Sequence, residues 1–158
     1  MPNIYDGNKK ERRALSTYVK LMRAAESVTH RTHQHLSSKG LTLSQFAVLE
    51  ALYHLGPLSQ KEIGKKILRS SGNITMVIDN LEKRRLVQRK RHKVDRRYFI
   101  VHLTTQGKKI ITNIFPQHVG VIAGEMSVLT AGEQETLSQL CKKLGLNITK
   151  SKHVNRRN

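Results

Sequence analysis

A chain of 158 residues with 37% hydrophobic residues is long enough for one domain with a core of its own, and no stretch of it is apolar and long enough to cross a membrane. Twenty-nine Lys and Arg against eleven Asp and Glu give a formal charge of +18, which burdens an isolated fold with self-repulsion and calls for a polyanion, either nucleic acid or an anionic membrane surface. The single cysteine, Cys141, excludes an intrachain disulfide framework, and the start MPNIYDGNKKERR lacks the apolar run of a secretory signal, so a reduced, cytoplasmic setting is expected.

From Lys9 to about Ser38 there is no Gly or Pro, and Leu15, Val19, Met22, Thr29 and Leu36 recur at helical spacing, which predicts a long first helix ending near Gly40. Two capped starts follow. In LTLSQF, Thr42 caps, Gln45 reaches back and Leu41 staples onto Phe46; in LSQKEI, Ser59, Glu62, Leu58 and Ile63 repeat the arrangement. Gly56-Pro57 separates these two short helices. A third opens near SSGNIT, carries Ile74, Val77, Ile78 and Leu81 as one apolar stripe, and ends around Arg84 or Arg85. The period then changes from 3.6 to 2. After LVQRKR and the stretch HKVDRR, the run YFIVHL alternates Tyr98, Ile100 and His102 against Phe99, Val101 and Leu103, as one strand of a hairpin should. Helix resumes after Thr104, with Ile111, Ile114, Phe115, His118, Ile122 and Met126 on one face and a kink predicted at Pro116. A last helix opens at the Thr130/Glu133 capping box and runs through Leu137, Leu140, Cys141 and Leu144 to Gly145; residues 148–158 read as a basic, disordered tail.

Three short helices and a hairpin describe a winged helix-turn-helix. The expected fold class is therefore mainly α with a small two-stranded β-hairpin wing, in one chain unit whose residues 42–104 form the DNA-binding region. Between Lys83 and Arg97 the only acid is Asp95. A solvated hairpin whose lysines deter edge pairing is the plainer explanation of such a segment, but charge this one-sided favours double-stranded DNA. The wing candidates are Arg89, Arg91, Lys93, Asp95, Arg96 and Arg97, with Asp95 orienting Arg97 and either Arg96 or Arg97 entering a minor groove. On the third short helix, the face away from the stripe presents Ser71, Asn73, Thr75, Met76, Asn80 and Lys83 for base reading, the alternative being an ordinary solvated face. Ser70 and Ser71 suit an N-cap, and either hydroxyl can also bond a phosphate.

The segments LSQKEIGKKI, SSGNITMVIDNLEKRRLVQRK and VDRRYFIVHLTTQGKKI together resemble the MarR family of bacterial winged-helix transcription regulators, over roughly residues 10 to 147. The most specific parts are DRR followed by a strand and LTxxG, where x marks Thr105 and Gln106, and the NLEKR-LV that joins helix to wing. The resemblance implies a homodimer in which the helices of residues 9–40 and 105–147 interlace. It further implies two winged modules on a near-palindromic operator, most often repressing, and release by a small aromatic effector (phenolic or quinone-like) or a redox signal. By analogy Met22, Phe46, Tyr53 and Phe115 line an effector pocket, although each is equally well explained as core. Redox-sensing members carry their cysteine near the first helix, so at Cys141 a small buried hydrophobe is the plainer reading. One departure stands out. The family usually has Gly where this chain has Arg85, so either the turn carries a strained residue or it closes differently.

His30 and His33 share a helix face, with His35 close by, yet no carboxylate or second cysteine completes a metal site, and surface histidines near a helix end are the better reading. No Gly-rich phosphate loop, paired metal ligands or nucleophile-base signature appears, so neither an enzyme nor a cofactor is expected. The alternative is a basic RNA-binding or ribosome-associated module, against which stands the lack of a stacking motif around Tyr98 and Phe99. Membrane binding is disfavoured because the basic residues cluster on a hairpin and not along one amphipathic helix.

Overall fold

The computed structural model describes residues 5–67, 71–92, 94–95 and 97–154, the side chains of 71–73 and 147–154 excepted. Ser70, Lys93, Arg96 and the last four residues of the basic tail lie outside the described residues. The elements are α1 (Lys9–Ser38), α2 (Leu43–Leu55), β1 (Leu58–Ser59), α3 (Gln60–Lys66), α4 (Ser71–Lys83), β2 (Val87–Arg91), β3 (Phe99–Leu103), α5 (Thr105–Met126) and α6 (Ala131–Val154). They fall into two compact units, Met1–Val121 and Ile122–Asn158.

In the first unit the helix starts are set by local hydrogen bonding. Asn8, Thr42 and Ser59 each cap a helix through the side chain and donate their own backbone N–H to the side-chain oxygens of Glu11, Gln45 and Glu62, satisfying backbone donors that have no partner within the helix. At the C-terminus of α1 the Leu41 N–H reaches the Leu36 carbonyl and the Gly40 N–H the Ser37 carbonyl. Gly40 there has φ 71°, which is a Schellman closure. The apolar stripe Ile74, Val77, Ile78 and Leu81 is buried, and it packs in one core with Leu36, Phe46, Leu49, Ile63 and Ile111. Only the last turns of α1 join that core: Thr32 and Leu36 are buried, whereas Met22 and Thr29 are exposed.

The sheet has three strands, not two. β1 pairs antiparallel with β3, Leu58 opposite Val101 and Ser59 opposite Ile100, and β3 pairs with β2 from Val87 opposite Leu103 to Arg91 opposite Phe99. A two-residue strand is too short to show alternation, which is why the hairpin alone was legible. α5 continues through Pro116, whose missing N–H leaves the Thr112 carbonyl without its helical donor.

α4 closes just as α1 does. The Leu86 N–H reaches the Leu81 carbonyl and the Arg85 N–H the Glu82 carbonyl, and Arg85 takes φ 56°. The turn is therefore a Schellman motif with a non-glycine residue in the left-handed position. A Cβ there costs about 1 kcal/mol relative to glycine. Arg85→Gly is accordingly expected to raise the thermal midpoint by roughly 2–4 °C, read by a calorimetric melt; an unchanged or lowered midpoint would contradict the strain.

In the second unit Thr130 and Glu133 form the expected capping box, and Gln134 donates to the Met126 and Leu129 carbonyls. Two expectations need correction. α6 does not stop at Gly145 but runs to Val154, so most of residues 148–158 is helical and not disordered. Gly145 does not take a positive φ; as an interior helical glycine it weakens the helix by about 1 kcal/mol without ending it. Cys141 is exposed, because Leu137, Leu140 and Leu144 beside it are themselves uncovered. Among the described residues no helix is long and apolar enough to cross a membrane.

Candidate nucleic-acid interface

The outer face of α4 presents Thr75, Met76, Asn80 and Lys83 to solvent, Met76 being 62% exposed. Because the stripe on the opposite face is fully buried, the rotation of the helix about its axis is fixed and these four have no other place to point. Ser71 and Asn73 lie on the same helix, their side chains outside the described set. Thr75 is not free-standing. The Gln60 Nε2, at the start of α3, donates to its Oγ1, a contact between positions too far apart in sequence to be read by periodicity.

The wing is built around two arginines with different duties. The Arg97 backbone N–H and Nε donate to Asp95 Oδ1 at 3.1 and 3.0 Å, and its Nη2 to Oδ2 at 3.0 Å. The side chain is nonetheless 85% exposed. The Arg97 hydrogen bonds hold the Asp95 carboxyl below its ordinary range, and the same side-chain bond raises the Arg97 guanidinium. The pair is thus oriented yet open to solvent. Sequence reasoning missed His92. Its Nδ1 accepts from the Val94 and Asp95 N–H groups at 3.3 and 3.1 Å, shaping the tip, and Arg91 lies 5.6 Å over the Phe99 ring.

Arg89, one of the wing candidates, is engaged by carboxylates of α4. Its Nη2 meets Asp79 Oδ1 at 2.6 Å and its Nη1 meets Glu82 Oε2 at 2.7 Å, while its backbone N–H reaches Glu82 Oε1 at 2.8 Å. Burial draws the guanidinium down, but the two carboxylates outweigh it and leave it raised. Asp79 and Glu82 stand three apart on one face of α4, so both meet a side chain crossing from β2. The charge of Arg89 is spent on locking wing to helix. Arg84 makes a second tie, its Nη1 donating to the Gly40 carbonyl at 2.8 Å and to Gln45 Oε1 at 3.2 Å. The end of α4 is thereby fastened to the junction of α1 and α2. Between α3 and the wing lies an open groove bordered by Gln60, Lys61, Lys65, His92, Arg97 and Tyr98.

The four residues named for an effector pocket do not come together. Phe46 is buried core and packs on the His118 ring, centroids 4.5 Å apart. Tyr53 and Phe115 lie at 6.4 Å with His54 between. Met22 belongs to a separate surface depression with Thr29, His30 and His33. His33 and His35 are half-buried and not the surface residues expected. His35 stacks on His118 at 6.0 Å, and His33 Nε2, His35 Nε2 and His118 Nδ1 are buried with no hydrogen-bond partner among the described residues. Burial, then His35 and His33, lower the affinity of His118 for a proton. Among the described residues no three ligands are placed to hold a metal ion.

A family model described as the MarR family matches residues 41–99. The chain is 38% identical over 135 residues to the HTH-type transcriptional regulator MhqR of Bacillus subtilis (strain 168), covering 85% of this chain and 93% of the relative. It is 32% identical over 124 residues to the HTH-type transcriptional repressor NicR of Pseudomonas putida, covering 78% of each. Among solved structures, a mutant MarR from E. coli complexed with operator DNA superposes with a TM-score of 0.76 at 26% identity, over 84% of this chain and 95% of that one. Bordetella bronchiseptica BpsR, described with regulation of its DNA binding by 6-hydroxynicotinic acid, superposes at 0.76 with 25% identity, over 82% of this chain and 98% of that one.

Proposed function

The chain belongs to the MarR family of DNA-binding transcription regulators, and from that premise we propose that it is a homodimeric repressor holding a near-palindromic operator until a small aromatic compound releases it. The observation that carries this reading is the pairing of a polar, almost uncharged face on α4 with an exposed Arg97 held in place by Asp95. A helix so dressed reads base edges in a major groove, and an oriented arginine beside it enters the adjacent minor groove. Dimerisation would cover the bare apolar residues of α6, with Leu137, Leu140 and Leu144 as contacts, and would set two α4 helices about one helical turn of DNA apart. The Arg84 tie to Gly40 and Gln45 offers the route for release. A shift of α1 would pull on the end of α4, so that the two helices no longer match both half-sites. That the effector is a small aromatic compound is supported by likeness to BpsR, whose DNA binding is regulated by 6-hydroxynicotinic acid.

The test is an anisotropy titration of the purified protein on duplex DNA from upstream of its own gene, across a range of salt, with unrelated duplex as competitor. Tight binding that resists competitor is expected, with log affinity falling linearly against log salt by about 0.9 per phosphate neutralised. Equal binding to every duplex would refute the reading of α4 while leaving the charge explained.

A further inference from the structure

We propose that Gln60 is a specificity-determining residue, which acts by fixing the direction of the Thr75 hydroxyl so that Thr75 meets DNA as a hydrogen-bond donor. The inference rests on the reading of α4 as the base-reading helix. It concerns a residue of the preceding helix that the sequence pattern did not single out.

The backbone of Gln60 is held on both sides. Ser59, just before it, pairs with Ile100 in the sheet and caps α3 through the reciprocal bonds with Glu62. From that anchored start the Gln60 side chain reaches the Thr75 Oγ1 with its Nε2. Thr75 itself is exposed, one position before Met76 on the outer face of α4. A hydroxyl has one proton and two acceptor sites. Once an amide N–H occupies one acceptor site, the proton must point elsewhere, and among the described residues no group accepts it. The remaining direction is outward. A threonine without this neighbour rotates to suit either a donor or an acceptor and discriminates little; one held by Gln60 offers its proton to the groove.

The base edges that suit an offered proton are N7 or O6 of guanine, N7 of adenine and O4 of thymine, whereas the N4 amine of cytosine presents only donors in the major groove. The position facing Thr75 should therefore reject cytosine. Glutamate at position 60 reverses the polarity without changing the shape. A carboxylate accepts and cannot donate, so the Thr75 proton turns to it and the hydroxyl oxygen faces the groove as an acceptor. Cytosine then becomes the fitting base.

The experiment selects bound duplexes from a randomised library with the full-length protein, the Gln60→Glu, Gln60→Ala and Thr75→Val variants, and sequences the bound fraction. Thr75→Val marks the base position that the hydroxyl reads, by relaxing it. At that same position Gln60→Glu is expected to move the ratio of cytosine to the other bases by roughly five- to tenfold, and Gln60→Ala to relax the position without choosing cytosine. Ratios within one library are insensitive to the uniform loss of affinity that an added negative charge brings. Because position 60 opens α3, a carboxylate there agrees with the helix dipole and folding is not threatened. If Gln60→Glu leaves the base unchanged, if Thr75→Val relaxes no position, or if the unaltered protein already prefers cytosine there because its hydroxyl bonds back into α4, the inference is wrong while the regulator reading stands. If the unaltered protein enriches no motif at all, the regulator reading itself fails and takes the inference with it.

Discussion

Gly107→Ala is expected to destabilise the protein by about 3 kcal/mol, at the upper end of what overpacking does, and to lower the thermal midpoint by roughly 6–12 °C. The reason is a close approach of two backbones. A Cβ at position 107 would stand 1.9 Å from the Leu86 carbonyl oxygen and 3.3 Å from Leu103 Cδ2. The nearer contact cannot be relieved by a rotamer change. That same carbonyl accepts from the Thr104 N–H at 3.1 Å and lies 3.2 Å from its hydroxyl, which also donates to the Arg85 carbonyl at 2.7 Å. In turn the Gly107 N–H donates to Thr104 Oγ1 at 3.0 Å, capping α5. The Thr and Gly of the LTxxG motif thus bind the start of α5 to the exit of α4. Pushing them apart strains the wing, the helix and the left-handed Arg85 together. A calorimetric melt within 2 °C of the parent, a threshold set by the smallest shift that about 1 kcal/mol produces, would show that the two backbones leave room for a methyl group.

Arg97→Ala is expected to weaken operator binding by roughly ten- to hundredfold, as the loss of one well-placed groove arginine does, while the melting curve stays where it was. Both halves follow from geometry. The side chain is 85% exposed and, among the described residues, its only side-chain partner is Asp95, so the fold does not depend on it. On the proposed reading, removing it would delete the arginine that enters the minor groove and leave the Asp95 carboxylate unpaired near DNA phosphates, adding repulsion. Arg89 supplies the contrast. Because it holds Asp79 and Glu82 from a half-buried position, truncating it would lower the melt and the affinity together. Titration of Arg97→Ala alongside its melt separates the two roles; unchanged affinity would remove Arg97 from the interface.

What could be read from the sequence was whatever is written within one turn or one strand. The boxes at Thr42, Ser59 and Thr130 announce themselves because both partners lie three residues apart. The stripe from Ile74 to Leu81 fixed the burial of α4 in the same way. The Asp95–Arg97 pair was visible at a spacing of two. Interactions that close across the fold left no such trace. Arg89 meets its carboxylates over seven and ten positions, through a turn whose path depends on Arg85. Gln60 meets Thr75 only because two helices pack, and the histidines of α1 meet His118 only when α5 is laid down. Burial of Cys141 was misjudged for a related reason: an apolar stripe says that a surface wants covering, not that its own chain covers it.

The short strand β1 has a consequence for how such a protein can diversify. By pairing Leu58 with Val101 and Ser59 with Ile100, it pins together the two ends of a segment that contains α3, α4 and the wing tip. The loop-closure entropy of that segment is met at its base, apart from the residues that face outward along it. Substitutions at positions such as 75, 76, 80 or 97 change what the surface says to a partner while the hydrogen bonds at the base stay the same. The segment behaves as a cassette, in which new target sequences can be explored by surface changes alone and the fold need not be rebuilt each time.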